Sequence, residues 1–210
     1  MKKLLLFCGI LAPLAYLTTV LYGAAITPGY SHIAHAISEL VMDGAPLRWK
    51  IDPGFIVYNL FLLMAGIGMQ WEFHGTGKQG LAPIGRMMVA IAVLSDLMYF
   101  FPQDPRTATP TWAGQMHIAL AGITALLTIL VQVVGGLRFR RIPGLEALSR
   151  YSFISAAWVF VTGGLSAAAL ATGSPYLGLV ERCTIGGFEL WVLVFSTALV
   201  TRYLPRRAAV

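Results

Sequence analysis

The sequence predicts an all-α integral membrane protein: a bundle of six transmembrane helices, with one short interfacial or re-entrant helix between the first and the second. Three observations predict it. The 210-residue chain is 57% hydrophobic and only 11% charged, against about 25% charged in soluble domains, so its surface is built to face lipid. Its apolar residues fall into six runs of roughly 20, the length that crosses a hydrocarbon core. The runs are separated by Pro, Gly and charged residues that stop helices.

A net charge of +6 would point to nucleic acid in a soluble chain. In a membrane protein it marks the cytoplasmic loops, where Lys and Arg gather. The expected partner is therefore membrane lipid and not nucleic acid. The two cysteines, Cys8 and Cys183, give no disulfide framework and fall near opposite membrane faces, too far apart to bridge.

Span one covers about residues 4–25. Lys2-Lys3 and Gly23-Ala24-Ala25 mimic a signal peptide with its cleavage site. The run is longer than a signal core and more spans follow, so it is expected to stay as a transmembrane helix. Pro28-Gly29 breaks it. Residues 31–42 follow as a short amphipathic helix with Ser31 as N-cap. At about 100° per residue, His32, His35, Ser38 and Glu39 share one arc, and Ile33, Ile37, Leu40 and Val41 the other. Gly44-Ala45-Pro46 ends it. Span two covers about 53–69 and leads past Trp71 into a polar loop at 72–79. Gly75-Thr76-Gly77-Lys78 is no phosphate loop: Glu72 stands where its first glycine belongs, and Gln79 replaces the Ser or Thr. Span three, about 81–101, is stopped by Pro102. Span four covers about 112–137 and is followed by the basic loop 138–150. Span five, about 151–172, is stopped by Gly173-Ser174-Pro175. Span six covers about 177–203, before the tail Arg206-Arg207. The six spans are expected to form one transmembrane domain over residues 1–210.

Basic residues orient the bundle. With the N-terminus cytoplasmic, Lys2, Lys3, Lys78, Arg86, Arg138, Arg140, Arg141, Arg150, Arg202, Arg206 and Arg207 lie inside. Only Arg48, Lys50, Arg106 and Arg182 lie outside. This predicts a multi-pass protein of the cytoplasmic (inner) membrane with both termini cytoplasmic. Acids and histidines sort the other way: Glu39, Asp43, Asp52, Asp104, Glu181, His32, His35 and His117 fall at the outer face. A site, if present, opens outward.

Asp96 lies within span three, where an ionisable group costs at least about 2.5 to 3.5 kcal/mol. It is expected to face the bundle and find a partner. His117, at similar depth on the neighbouring span, is in reach, either as a helix-to-helix hydrogen bond or as chemistry. Glu181-Arg182 opens span six. Arg182 either pairs with Asp104 or Glu39 or clamps a carboxylate or lipid phosphate, which a guanidinium matches bidentately. Glu189, on the same helix face, reads as a buried, hydrogen-bonded acid. His32, His35 and Glu39 stand at i, i+3 and i+7, a spacing at which side chains converge on one ion. Imidazole with carboxylate suits zinc or another divalent transition metal. His117 with Asp96 or Asp104 would complete the ligands.

Pro28-Gly29-Tyr30-Ser31 with Ile37-Ser38-Glu39-Leu40, then Phe101-Pro102-x-Asp104, His117 and Gly178-Leu179-x-Glu181-Arg182 resemble a widespread family of prokaryotic membrane proteins, known mainly as a domain of unknown function. The resemblance covers nearly the whole chain. It implies six spans and outward-facing polar residues, and supplies no reaction. Where the family usually continues Ser-Glu-Leu with Gly, Val41 stands here. A more distant likeness is to the membrane hydrolases of the ceramidase and adiponectin-receptor type, which hold zinc with Ser, Asp and His. Ser38, Asp96 and His117 stand in comparable places, but the His-x-x-x-His of that group's last span is missing.

Three functions follow. The first is an outward-facing hydrolase or transferase acting on a lipid or amphiphile. His32, His35 and His117 would hold a metal that activates water. Ser38, Glu39, Asp96 and Asp104 would supply catalytic groups, and Glu181 and Arg182 would hold substrate. The second is a small transporter using Asp96 and Glu189. The third is a non-catalytic accessory or assembly protein whose polar cluster staples the outer loops.

Overall fold

Apolar runs in lipid must satisfy their own backbone polar groups, so each closes its hydrogen bonds as a helix. The computed structural model describes residues 2–73, 80–106 and 108–203. The turn containing Gly75 to Lys78 and the tail Arg206-Arg207 lie outside the described residues. Among the described residues the secondary structure is all helical: α1 (Lys2–Ile26), α2 (Arg48–Phe73), α3 (Ala82–Leu97), α4 (Trp112–Phe139), α5 (Glu146–Thr172) and α6 (Leu177–Ala198). A short 3-10 helix at Met98–Phe100 extends α3, and a π-helical turn at Leu199–Tyr203 extends α6. All six helices are long and apolar enough to cross a membrane. Each packs on its neighbours in the chain, and α1 closes against α6, giving a ring.

Helix starts differ from the sequence reading at two places. The second helix begins at Arg48, five residues before Pro53. The missing N–H of Pro53 removes one bond near the helix end, while Arg48 Nε pairs with Asp52 Oδ2 at 2.8 Å across that turn. The fifth begins at Glu146, not Tyr151, after the left-handed Gly144 (φ 84°). At its other end Gly173 (φ 64°) takes the left-handed stop that Gly173-Ser174-Pro175 predicts. Of the small residues on α5 and α6, Gly187 lies against Trp158, whereas Gly164 and Gly186 face open space.

The two ends of the ring differ. One carries Arg86, Arg138, Arg140, Arg141 and Arg150 and is plugged by apolar side chains. Leu6, Met69, Phe73, Leu81, Ile84, Met88, Phe139, Trp191 and Phe195 are each at most 2% exposed there. Trp191 stacks on Phe195 at 5.2 Å and Phe195 lies 5.2 Å from Phe139. The other end is covered by residues 27–47, 98–106, 108–111 and 173–176, a polar cap.

The helix expected over 31–42 is shorter than that. Residues 32–34 form a turn, and only Ile37–Val41 is helical, as a 3-10 helix with Ile37 and Leu40 buried. Ser31 caps the turn instead, its Oγ accepting from the N–H groups of Ile33 and Ala34. The groups that an α-helix would bond to itself are taken elsewhere: the carbonyls of His32 and His35 by Arg182, and the Ile37 N–H by Glu181.

Candidate functional site

The cap is built on the first turns of α6. Gly178 lets the chain come close, since a Cβ there would run into the carbonyl oxygens of His32 and His35. The Leu179 N–H, free at a helix start, donates to the Ile33 carbonyl at 3.0 Å. Glu181 Oε2 accepts the Ile37 N–H at 2.6 Å. Arg182 then fills the turn. Its Nη1 donates to the carbonyls of His32, His35 and Gly178, each at 2.9 Å. Its Nε meets His32 Nδ1 at 3.2 Å, and its Nη2 donates to the Tyr30 hydroxyl at 2.6 Å. None of the five partners is a carboxylate. Tyr30 in turn donates its hydroxyl to the Ala36 carbonyl at 2.8 Å. Burial, partly offset by Arg182, pushes the Tyr30 pKa up to about 12.

A second knot ties Gln103 and Arg106 to the same turn. Arg106 donates from Nε (2.9 Å) and Nη2 (2.5 Å) to Glu39 Oε1, and from Nη2 to the Ala34 carbonyl at 2.6 Å. The same Glu39 oxygen accepts the Ala36 N–H at 2.9 Å. Ser38 Oγ donates to Gln103 Oε1, and the Asp43 N–H to the Gln103 carbonyl at 2.9 Å. Asp104 serves the start of α4: its carboxylate accepts the N–H and the hydroxyl of Thr111, each at 2.7 Å, and Thr111 caps the helix by accepting from the Gly114 N–H.

The remaining candidates lie elsewhere. His117 Nδ1 sits 2.9 Å from the Phe101 carbonyl. Asp96 takes the Asn59 amide at 2.8 Å, so the expected Asp96–His117 approach is replaced by two separate contacts. His35 Nδ1 accepts the Ser31 N–H at 2.9 Å. His32, His35 and His117 thus turn their Nδ1 atoms to three different partners. Among the described residues no group of three or more His, Cys, Asp or Glu is placed to hold a metal ion. The structure therefore brings together His32, His35, Glu181 and Arg182, joins Ser38 and Glu39 to the adjoining loop, and leaves Asp96, Asp104 and His117 apart.

Tyr58, Asn59 and Gln103 were not singled out from the sequence, and Tyr30 and Arg106 were named there only within a motif and among the outer basic residues. For Tyr58 and Asn59 a signal exists, two polar-tipped residues side by side in the middle of an apolar span. They hold two in-span acids, Glu189 on α6 and Asp96 on the neighbouring α3.

Six membrane-length helices and a polar cap at one end of the ring define a multi-pass membrane protein. The chain belongs to the family described as Protein of unknown function (DUF998), whose model matches residues 10–198. No curated protein and no solved structure matches it.

Proposed function

We propose that this is a non-catalytic membrane accessory or assembly protein, and that its polar cap is a clasp holding three connecting segments over the ring. The observation that carries this reading is the set of partners around Arg182. Its fork grips main-chain carbonyls and a phenol of its own chain, so those N–H groups are not offered to a substrate. Ser38 is bonded to a glutamine amide and Asp104 to a helix start, which supports structural roles for both. The excess of Arg at the plugged end supports a cytoplasmic basic end, an outward cap and residence in the inner membrane among lipid.

The hydrolase or transferase reading asks for His32, His35 and His117 around one ion and for Arg182 or Glu181 free to hold a lipid. The contacts above favour it less. Thermal unfolding in detergent separates the two. Arg182→Ala leaves the His32 carbonyl without its donor and the His35 carbonyl with only the 3.3 Å bond from the Tyr30 hydroxyl, and a buried acceptor left unpaired costs about 1–3 kcal/mol. The melting temperature is expected to fall by several degrees, with no specific biochemical loss. Stoichiometric zinc in the purified protein that disappears in His117→Ala overturns the proposal. So does a lipid-cleaving activity lost in Arg182→Ala at unchanged melting temperature.

A further inference from the structure

Near the capped end, α1 and α2 meet in a tight contact: a Cβ on Gly54 would run into Thr19. Outside that contact lies a groove of about 490 Å³, lined by Leu11 and Leu14 of α1 and by Val57 and Phe61 of α2. Leu11 is 43% exposed, Leu14 47% and Val57 42%, so the groove opens to the bilayer. Its two hydroxyl groups are already committed. Thr18 donates to the Leu14 carbonyl at 2.8 Å and Thr19 to the Ala15 carbonyl at 2.7 Å. Neither proton is left for a helix of another protein, although polar contacts commonly glue spans together. From Pro53 to Phe61 the groove follows α2 for about 12 Å, which lies within the roughly 15 Å of one leaflet's hydrocarbon.

A free positive charge stands at its mouth. Lys50, Gly54, Val57 and Phe61 are spaced i, i+4, i+7 and i+11, one stripe of the helix. Lys50 is thus one turn beyond the groove, and helical side chains lean toward the N-terminus, here the capped end. Its neighbour Trp49 is 70% exposed, as suits a side chain at headgroup level, and the Lys50 Nζ lies 5.1 Å over its ring. Of the four basic residues at this end, Arg48 is bonded to Asp52, Arg106 to Glu39, and Arg182 to the clasp. Among the described residues the Lys50 ammonium has no hydrogen-bond or ion-pair partner.

We propose that this groove is a site for one anionic phospholipid of the leaflet at the capped end, with an acyl chain along the groove and the phosphate on Lys50. An acyl chain gains no hydrophobic free energy by leaving the bilayer for the groove. The lipid is fixed instead by packing against helix walls and by the pairing of phosphate with the ammonium. Arg48 and Asp52 cancel each other's charge, which leaves the mouth positive. Phosphatidylglycerol complements that charge, whereas phosphatidylcholine brings a cation of its own.

Native mass spectrometry tests the site on the full chain, stripped of lipid in detergent and reloaded with equal amounts of phosphatidylglycerol and phosphatidylcholine. One lipid adduct per chain is expected, with phosphatidylglycerol favoured about fivefold. Lys50→Gln brings that ratio close to one. Val57→Trp fills the groove from an exposed position and removes the adduct, and Leu14→Trp does the same from the opposite wall. None of the three residues belongs to the clasp, so the result stands apart from the role of Arg182. An adduct that survives both tryptophan variants overturns the proposal. So does a wild-type ratio of one, or a ratio that Lys50→Gln leaves unchanged. A dimer mass that Val57→Trp abolishes also overturns it, and gives the groove to a second copy of the chain.

Discussion

Tyr30 is a relay in the clasp: it receives Arg182 and gives to Ala36, and it can give only while it keeps its proton. Its pKa rises from 10.0 unfolded to about 12 in the fold, through burial and against the pull of Arg182. A group raised on folding stabilises fully below its unfolded value and loses that contribution as pH climbs through the folded one. The melting-temperature gap between wild type and Tyr30→Phe is therefore expected to stay constant up to pH 10 and to shrink from there to about 12. A gap that closes already at neutral pH contradicts this role. Arg182→Lys should recover only part of what Arg182→Ala loses, because a point-like ammonium cannot span the fork's separate acceptors. Arg182 could be singled out from sequence, but its partners could not. The acceptors are carbonyls of His32, His35 and Gly178, and a main-chain carbonyl leaves no mark in residue type. The imidazoles of the same residues drew attention to a metal, while their backbones held the contacts.

Among the elements, α4 shows how an acid becomes part of a helix start. Its first N–H groups have no intrahelical acceptor, and Thr111 and Asp104 fill that need in series, with the negative charge at the favourable end of the helix dipole. Gly114 is packed so tightly that a Cβ would overlap the Asp104 carboxylate. Gly114→Ala is expected to cost about 1–3 kcal/mol by overpacking, and Asp104→Ala about 0.5–2 kcal/mol as a lost cap. Urea titration of the two variants reads both, and equal midpoints in variants and wild type refute the arrangement. The spans were legible because long apolar runs in lipid have one solution, and their stops because Gly and Pro act locally. The cap was not. Its 100° periodicity was real in the sequence, yet α6 took the backbone groups that an α-helix over residues 31–42 would need.

Seen whole, the molecule is polar at one end, apolar and basic at the other, with the in-span acids Glu189 and Asp96 held from adjacent positions of α2. Cysteine accessibility tests which end faces out. In a chain whose native cysteines are replaced by alanine, Ala108→Cys, on an exposed cap residue, is expected to react with an impermeant maleimide in intact spheroplasts. Ala147→Cys, exposed at the basic end, should react only after lysis. The reverse pattern would invert the proposed orientation.

The clasp also joins residues that leave the ribosome far apart in time. The Ile37 N–H waits for Glu181, 144 positions later, and Tyr30 waits for Arg182, 152 positions later. Until the sixth span arrives, the turn after the first has no partner for those groups. Insertion of the last helix is thus the step that latches the lid. A nascent chain halted before it is expected to leave residues 30–37 more open to protease than the finished chain does, which limited proteolysis of a truncation lacking the sixth span would read.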